Sequence, residues 1–166
     1  FRSATGDWRN VEAQVRNMHD DDAIDGVLCY LRDVTESKRR ARRFESIFNQ
    51  TFQFMGLLDP EGTVIEVNER ALEFGGFDRD TVVGVPLSDT PWWSHSRAVR
   101  DRVQEAVEQA KKGNIVRFET NAREADSIRT AELSVKPVTG EDDDITELVV
   151  EAHDITEEKQ RRQHLD

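Results

Sequence analysis

The sequence predicts an α+β domain in which five antiparallel strands form one sheet, with helices on one face and at both flanks. Two short strand patterns joined by a tight-turn sequence come first, helical patterns follow, and three longer strand patterns complete the order. The segment DVTESK at residues 33–38 returns as DITEEK at residues 154–159, after a strand pattern in each case. Because an internal repeat marks a repeated structural unit, we expect one complete module preceded by part of another.

The composition restricts the class of protein. The 166 residues include 34 acidic and 23 basic ones, and the net charge is −11. This excess suits a solvated surface, argues against a nucleic-acid-binding face and suggests a salt-adapted, halophilic source. The single cysteine, Cys29, excludes an internal disulfide or a cysteine-based metal cluster and favours a reducing cytoplasm. No run approaches about 18 apolar residues, so no transmembrane segment is expected.

Residues 1–35 are predicted to be the C-terminal strands of a truncated preceding module. Residues 8–18 and 26–34 have strand patterns, and an acidic turn at residues 20–22 joins them. Two strands cannot bury a core alone, so we expect this part to be poorly stabilised unless it pairs with another chain or docks on the helix that follows. Cys29 is expected to be a buried thiol in the second strand.

Residues 36–50 are predicted to form a connecting helix because they lack Gly and Pro. Three apolar residues recur there at helical spacing: Phe44, Ile47 and Phe48. Asp33 and Glu36 predict a capping box at the helix start, with Thr35 as a competing cap. The basic run at residues 38–43 is interpreted as a solvated helix face, because no aromatic residues interrupt it for nucleic-acid contact.

The complete module is predicted at residues 51–156, and an output linker helix at residues 157–166. Its long helix is expected at residues 96–112. Its five strands are expected at residues 52–59, 63–67, 114–124, 128–138 and 146–154. Asn68 predicts the start of a short helix that ends at a glycine pair, and Ser94 or Ser96 predicts the start of the long helix. Residues 148–150 are apolar on both faces of their strand, so the last strand should be central in the sheet.

Several pieces in this order resemble PAS sensory domains. They are the DPEGT turn at residues 59–63, the VNERA helix start at 67–71, Gly84 after a short helix, and DITE at 154–157. The resemblance covers residues 44–158 in full, and residues 1–36 resemble the last strands of a preceding PAS module. The WWSHS segment at residues 92–96 is similar to PAS modules of multi-domain microbial sensor histidine kinases, and the acidic composition would suit a haloarchaeal member.

The resemblance implies a regulatory input module whose sheet and helices enclose a small cavity. Flanking helices in this family pass signals between neighbouring sensor and output domains of the same chain and often form homodimers. The repeated junction residues would then couple the last strand to the helix that follows: Asp33, Thr35, Asp154 and Thr156. A plain helix cap is the alternative, and the two roles are compatible.

The cavity implied by the resemblance would suit a small aromatic or apolar ligand. Candidate ligand-binding residues are the aromatic and apolar ones expected around it: Phe54, Phe74, Phe77, Trp92, Trp93, Val103, Phe118 and Leu133. The alternative for each of them is ordinary packing in the core. For the tryptophan pair, one ring would fill the core and the other would cover the sheet edge.

The same resemblance makes two cofactors unexpected. Haem-binding PAS modules use a histidine on the long helix, and residues 96–112 contain none, since His95 precedes that helix. Covalent flavin photochemistry needs a cysteine in the helical region, and residues 51–156 contain no cysteine. No cofactor is therefore assigned.

No catalytic group of residues is recognisable, because the four histidines are scattered and no phosphate loop or nucleophile motif is present. The first hypothesis is a non-enzymatic sensory and relay module of a cytoplasmic signalling protein, a histidine kinase. The second is a ligand-free interaction or dimerisation module of a transcription regulator or transducer-like protein. A cavity beside Trp92 and Trp93 would favour sensing, whereas a filled interior would favour the interaction module. The missing catalytic groups disfavour a cofactor-dependent enzyme.

Overall fold

A computed structural model describes residues 1–20 and 23–164 of the chain. Residues 21–22 of the predicted acidic turn and the last two residues of the predicted linker helix lie outside the described residues. The chain divides into two compact units, Phe1–Ile47 and Phe48–Asp166.

The first unit contains an antiparallel hairpin. Its strands β1 (Val11–Asn17) and β2 (Val27–Asp33) lie inside the two predicted segments. Helix α1 (Thr35–Gln50) follows and continues into the second unit. The predicted capping box is not what forms the helix start, because Thr35 is already the first helical residue and the Glu36 carboxylate lies 3.7 Å from Arg40 Nη2, one turn further along.

The prediction that Cys29 is buried is wrong, because its thiol is exposed. All of β2 is exposed, and so is β1 beyond its first residue. A two-stranded hairpin cannot bury the residues of either face by itself, so alternation along these strands does not produce an inside and an outside. Apolar side chains such as Val15 and Leu31 remain accessible for the same reason.

The second unit contains the complete module. Its elements are, in order, β3 (Phe54–Leu58), β4 (Val64–Val67), α2 (Glu69–Gly75), α3 (Arg79–Val82), 3-10 turns at Leu87–Asp89 and Pro91–Trp93, α4 (Arg97–Lys111), β5 (Val116–Glu124), β6 (Ser127–Thr139), β7 (Ile145–Asp154) and α5 (Thr156–Gln163). Two predicted caps are seen. Asn68 Oδ1 accepts a hydrogen bond from the Ala71 N–H, and Ser96 Oγ accepts one from the Val99 N–H.

The five strands form one sheet in the order β4-β3-β7-β6-β5, with every neighbouring pair antiparallel. The predicted α+β fold is confirmed, and β7 is central, as its apolar residues indicated. The core lies between this sheet and the helical segment, where Leu133 and Leu148 of the strands and Val103 and Val107 of α4 belong to one buried cluster. No helix in the described parts of the chain is both long and apolar enough to cross a membrane.

Candidate functional site

A small apolar cavity of about 50 Å³ lies inside the second unit. Only apolar residues and one glycine surround it, and they come from the sheet, from α2 and from the 3-10 turns before α4. Burying a polar or charged group without a partner is costly, so this interior selects against ions and strongly polar molecules. The volume is several times what one water needs, yet only about a third of the roughly 150 Å³ cavity known to hold benzene.

Small side chains on the sheet leave this space open. Ala131 of β6 and Ala152 of β7 occupy positions where a branched side chain would fill the interior. Gly56 of β3 does the same, and a Cβ placed there would lie 3.6 Å from the Glu66 carbonyl oxygen, an ordinary contact. Three adjacent strands therefore each contribute a small residue to the cavity wall.

Five of the eight predicted ligand-binding residues surround this cavity: Phe54, Phe74, Trp92, Trp93 and Leu133. The Phe54 and Phe74 rings also contact each other, with centroids 4.6 Å apart. The cavity thus lies beside the tryptophan pair, at the position that the first hypothesis required.

The other three predicted residues do not line the cavity. Val103 of α4 is fully buried in the packed part of the core. Phe77 packs edge-on against Trp92, with ring centroids 5.9 Å apart. Phe118 lies under the guanidinium of Arg102, 4.6 Å from its ring centre. These side chains were predicted to line the cavity because they are hydrophobic. In the structure, other residues pack around them.

The remaining lining residues were not predicted, and most are small or aliphatic: Met55, Gly56, Leu58, Val64, Val67, Ala71, Leu87, Ala122, Ala131, Val150 and Ala152. A usable signal was the alternation of the strands, since Gly56 and Leu58 continue the face of Phe54, and Ala131 lies on the face of Leu133. The prediction instead selected mainly aromatic residues and therefore missed these smaller ones.

The junction between β7 and α5 is held by four hydrogen bonds, the longest of which, at 3.4 Å, is donated by the Thr156 hydroxyl to the Thr130 carbonyl. The Asp154 carboxylate accepts the Thr156 N–H at 2.9 Å. The Thr156 hydroxyl oxygen accepts the Thr130 N–H of β6 at 3.0 Å, and the Ile155 N–H donates to the Thr130 carbonyl at 2.9 Å. Thr156 therefore ties the helix start to the neighbouring strand and is not a cap of its own helix, whose N-cap position is Ile155.

The junction between β2 and α1 repeats three of these bonds. The Asp33 carboxylate accepts the Thr35 N–H at 2.9 Å, and the Thr35 hydroxyl oxygen accepts the Asn10 N–H at 2.9 Å. The Val34 N–H donates to the Asn10 carbonyl at 2.9 Å. The four predicted junction residues are thus brought together in two equivalent pairs, one in each unit.

The strands before each junction also pair in the same register. Val11 lies opposite Asp33 in the first unit, and Ala131 lies opposite Asp154 in the second. The equivalence continues residue by residue to the end of the hairpin, where Asn17 lies opposite Val27. The sequence repeat therefore folds into the same strand pair and the same junction twice.

Comparison with known protein families agrees with this geometry. The model of the PAS fold family matches residues 48–160, which cover most of the chain. The chain belongs to the PAS fold family. Its PAS domain comprises the five-stranded sheet, the cavity and the junction to α5.

Two relatives of this PAS domain are histidine kinases by name. Hybrid signal transduction histidine kinase D of Dictyostelium discoideum is 34% identical over 133 residues, 78% of this chain and 8% of that protein. Sensor histidine kinase TmoS of Ectopseudomonas mendocina is 28% identical over 138 residues, 80% of this chain and 14% of that protein. The chain thus spans only a small part of the length of either relative.

Solved structures share the fold. The PAS domain of an HTR-like protein from Haloarcula marismortui has a TM-score of 0.57 and 21% identity, covering 72% of this chain and 95% of that one. The PAS domain of Bordetella pertussis BvgS has a TM-score of 0.58 and 16% identity, covering 76% of this chain and 95% of that one.

Electrostatics differ between the two junctions of this PAS-containing chain. The Thr35 hydroxyl, 2.6 Å from the Asp33 carboxylate, and then the Thr35 N–H hold the pKa of Asp33 below its ordinary value of 3.8, helped by the charge of Arg9. Near the second junction, the hydrogen bond that Arg129 donates to Glu124 raises the pKa of Arg129, and the charge of Asp154 adds to the effect.

A pH dependence of the first junction follows from the lowered pKa of Asp33. Ionised Asp33 stabilises the folded hairpin above pH 3.8, and this contribution is lost as the pH falls through the lower pKa of the folded state. In Thr35→Val, which lacks the hydroxyl donor, the pKa of Asp33 is expected to rise towards 3.8. A carboxyl-carbon NMR titration measures it. Ser37→Ala, which removes a nearby hydroxyl from α1, should change nothing, and an unaltered pKa in Thr35→Val would contradict the assignment.

Proposed function

We propose that this PAS domain is the input and relay module of a sensor histidine kinase, in which a small apolar ligand in the cavity changes the position of α5. The module itself is non-catalytic and depends on neighbouring domains for output. The two histidine kinase relatives support this context. The exposed free thiol of Cys29 supports a reducing, cytoplasmic location.

One observation carries the proposal: the wall of the cavity and the anchor of α5 are adjacent residues of one strand. Ala131 lines the cavity, and Asp154 is its partner across the β6–β7 ladder. Thr130 precedes Ala131 on β6. Its carbonyl accepts a hydrogen bond from the Ile155 N–H, and its N–H donates one to the Thr156 hydroxyl oxygen. A displacement of β6 by a ligand would therefore reach the helix start without any intervening element.

The size of the cavity gives the ligand a way to cause that displacement. At about 50 Å³ the space is too small for a ring-sized molecule, so such a ligand has to move the wall outward. Packed interiors respond to added volume by shifting whole elements, since little free space absorbs the change. Occupancy would then bias two arrangements of β6 and α5, which is how a binding site controls a distant output.

The first unit fits this relay as its input side. We propose that residues 1–35 are the last strands of a preceding PAS module, supported by the register and junction that they share with β6, β7 and α5. Helix α1 starts at that junction. At its other end, the Phe48 carbonyl accepts a hydrogen bond from Asn68 Nδ2 at 2.9 Å. Helix α1 thus runs from the junction after β2 to the start of the PAS domain that follows it in the chain.

The test of the relay uses Thr156→Val, which removes both hydrogen bonds between the Thr156 hydroxyl and Thr130 but preserves side-chain shape. With methylenecyclopentane as the apolar probe, the amide NMR signals of cavity residues and of α5 should both shift in the wild type. In Thr156→Val the cavity response should remain and the α5 response should largely disappear. We expect a stability loss of only about 1–2 kcal/mol, because the two bonds of a single hydroxyl are removed and one of them is long. Asp154→Ala should behave similarly.

The control is Thr146→Val, which makes the same change on β7 where the hydroxyl contacts only the Val138 carbonyl, at 3.4 Å. Its α5 response should equal that of the wild type. A full α5 response in both junction variants would overturn the relay. So would a collapse of their melting temperature with the ligand response intact.

A second candidate function is a dimerisation module that binds no ligand, and the accessible apolar surface outside the PAS core favours it. Ile47 of α1 is 66% exposed, and Leu31 of β2 is also exposed. We propose a homodimer through the flanking helices. Light scattering of the wild type and Ile47→Glu tests this, since a dimer in the first and a monomer in the second would support it. Identical masses for the two would contradict it.

A further inference from the structure

One residue of the cavity wall has a buried indole nitrogen without a hydrogen-bond partner. Trp93 lines the cavity and is 3% exposed. In the described part of the chain, its Nε1 is the one buried side-chain nitrogen or oxygen that has no hydrogen-bond partner. Buried indole N–H groups normally find an acceptor, and leaving one unpaired is costly.

Nothing on the cavity wall can accept that hydrogen bond strongly. The lining side chains are aliphatic or aromatic, apart from the weakly accepting sulfur of Met55 and the second indole, which is itself a donor. The strands of the wall also use their backbone groups in the ladders of the sheet. A molecule that enters the cavity can supply the acceptor that Trp93 lacks.

We propose that the ligand is an uncharged, mainly apolar molecule with one hydrogen-bond acceptor, such as a carbonyl or ether oxygen, to which Trp93 Nε1 donates. This inference rests on the proposed sensing function and specifies its ligand class. A charged group would have no counter-ion, and a molecule with its own donors would find no acceptor in the wall. Pure hydrocarbons would fit the apolar surface but leave the Trp93 N–H unpaired.

The local fold explains why Trp93 can hold a ligand in one orientation. Its 3-10 turn follows Thr90, a fully buried residue whose hydroxyl donates to the Leu87 carbonyl at 2.7 Å. Ser96, three residues after the tryptophan, caps α4. The indole is thus set between a fixed turn and the start of a long helix, and a fixed donor costs little ordering when a ligand binds.

The test compares two probes of nearly equal shape, cyclopentanone, which has an acceptor oxygen, and methylenecyclopentane, which has none. The dissociation constant of each is measured by NMR titration of the wild type and of Trp93→Phe. Loss of the donor should weaken cyclopentanone about fivefold to tenfold relative to methylenecyclopentane, the size expected for one neutral hydrogen bond. Trp92→Phe makes the same change in the other indole of the wall and tests which of the two N–H groups donates. Trp8→Phe is the matched control, since Trp8 is exposed and outside the cavity, and it should leave the relative affinity within about twofold of the wild type.

The titration outcomes separate this inference from the proposed function. If both probes bind and Trp93→Phe leaves their relative affinity unchanged, the acceptor class is wrong and ligand sensing stands. If the change occurs in Trp92→Phe instead, Trp93 is not the donor. If neither probe binds the wild type up to its solubility limit, the sensing function fails and this inference fails with it.

A second readout needs no variant and so does not depend on the folding of Trp93→Phe. The indole N–H proton of Trp93 in the wild type should move downfield with cyclopentanone and not with methylenecyclopentane, because hydrogen bonding deshields the donor proton. An equal shift with both probes would overturn the assignment.

Discussion

Replacing Asn68 with alanine is expected to lower the melting temperature of the PAS domain by about 10 °C. Asn68 is fully buried, and its side chain makes four hydrogen bonds. Oδ1 accepts the N–H groups of Met55 and Ala71, each at 3.1 Å, while Nδ2 donates to the carbonyls of Phe48 and Gln53, each at 2.9 Å. The substitution removes all four of these side-chain hydrogen bonds.

The expected loss is about 3 kcal/mol, because each buried group left unpaired costs about 1 kcal/mol or more and water can reach only part of the site. Thermal unfolding followed by circular dichroism measures it. Asn114→Ala is the control, since Asn114 is exposed and bonds only to Gln109 at the end of α4. That change should stay within about 2 °C. A similarly small shift for Asn68→Ala would contradict the structural role assigned to the residue.

The second large effect is expected for Gly62→Ala in the turn between β3 and β4. Gly62 has φ +98°, which alanine adopts only with strain, and its added Cβ would lie 2.5 Å from Val107 Cγ1. Val107 is 2% exposed on α4, so it cannot move into open space. We expect a loss of about 3 kcal/mol, in which the strained backbone and the overpacked core both contribute.

Gly84→Ala isolates the backbone part of that effect, and the difference between the two variants gives the packing part. Gly84 has φ +84°, but an added Cβ meets nothing within 4 Å, so only the backbone cost of about 1 kcal/mol should appear. Val107→Ala in the Gly62→Ala background removes the clashing methyl group, so the two changes should cost less together than separately. Equal melting temperatures for Gly62→Ala and Gly84→Ala would contradict the close packing of the turn on α4.

Local patterns in the sequence were sufficient to predict the elements of the PAS domain. Period-two alternation predicted the strands, and cap residues such as Asn68 and Ser96 predicted where helices begin. The repeat predicted two junctions, and both form the same hydrogen bonds. The strands, the helix starts and the two junctions depend on residues close together in the sequence or on the register of paired strands. The order of apolar and polar residues determines both directly.

The lining of the cavity depended on contacts between distant elements, and there the prediction was incomplete. Phe118 has the pattern of a core residue, but Arg102 of α4 covers its ring. Ala131 and Gly56 line the cavity because they are small, a property that gives no signal of its own in a strand. Neither the unpaired Trp93 N–H nor the second role of Asn68 at the end of α1 follows from spacing, because each depends on which backbone groups the fold brings close.

The central claim is that the cavity and the α5 junction respond together, and NMR-detected amide hydrogen exchange of the wild type tests it most directly. The exchange rates of Ala131, Leu133, Ile155 and Thr156 are compared with and without saturating methylenecyclopentane. The account predicts altered protection at the cavity strands and at both junction amides, because Thr130 joins them. Altered protection at the cavity with unchanged rates at Ile155 and Thr156 would contradict it.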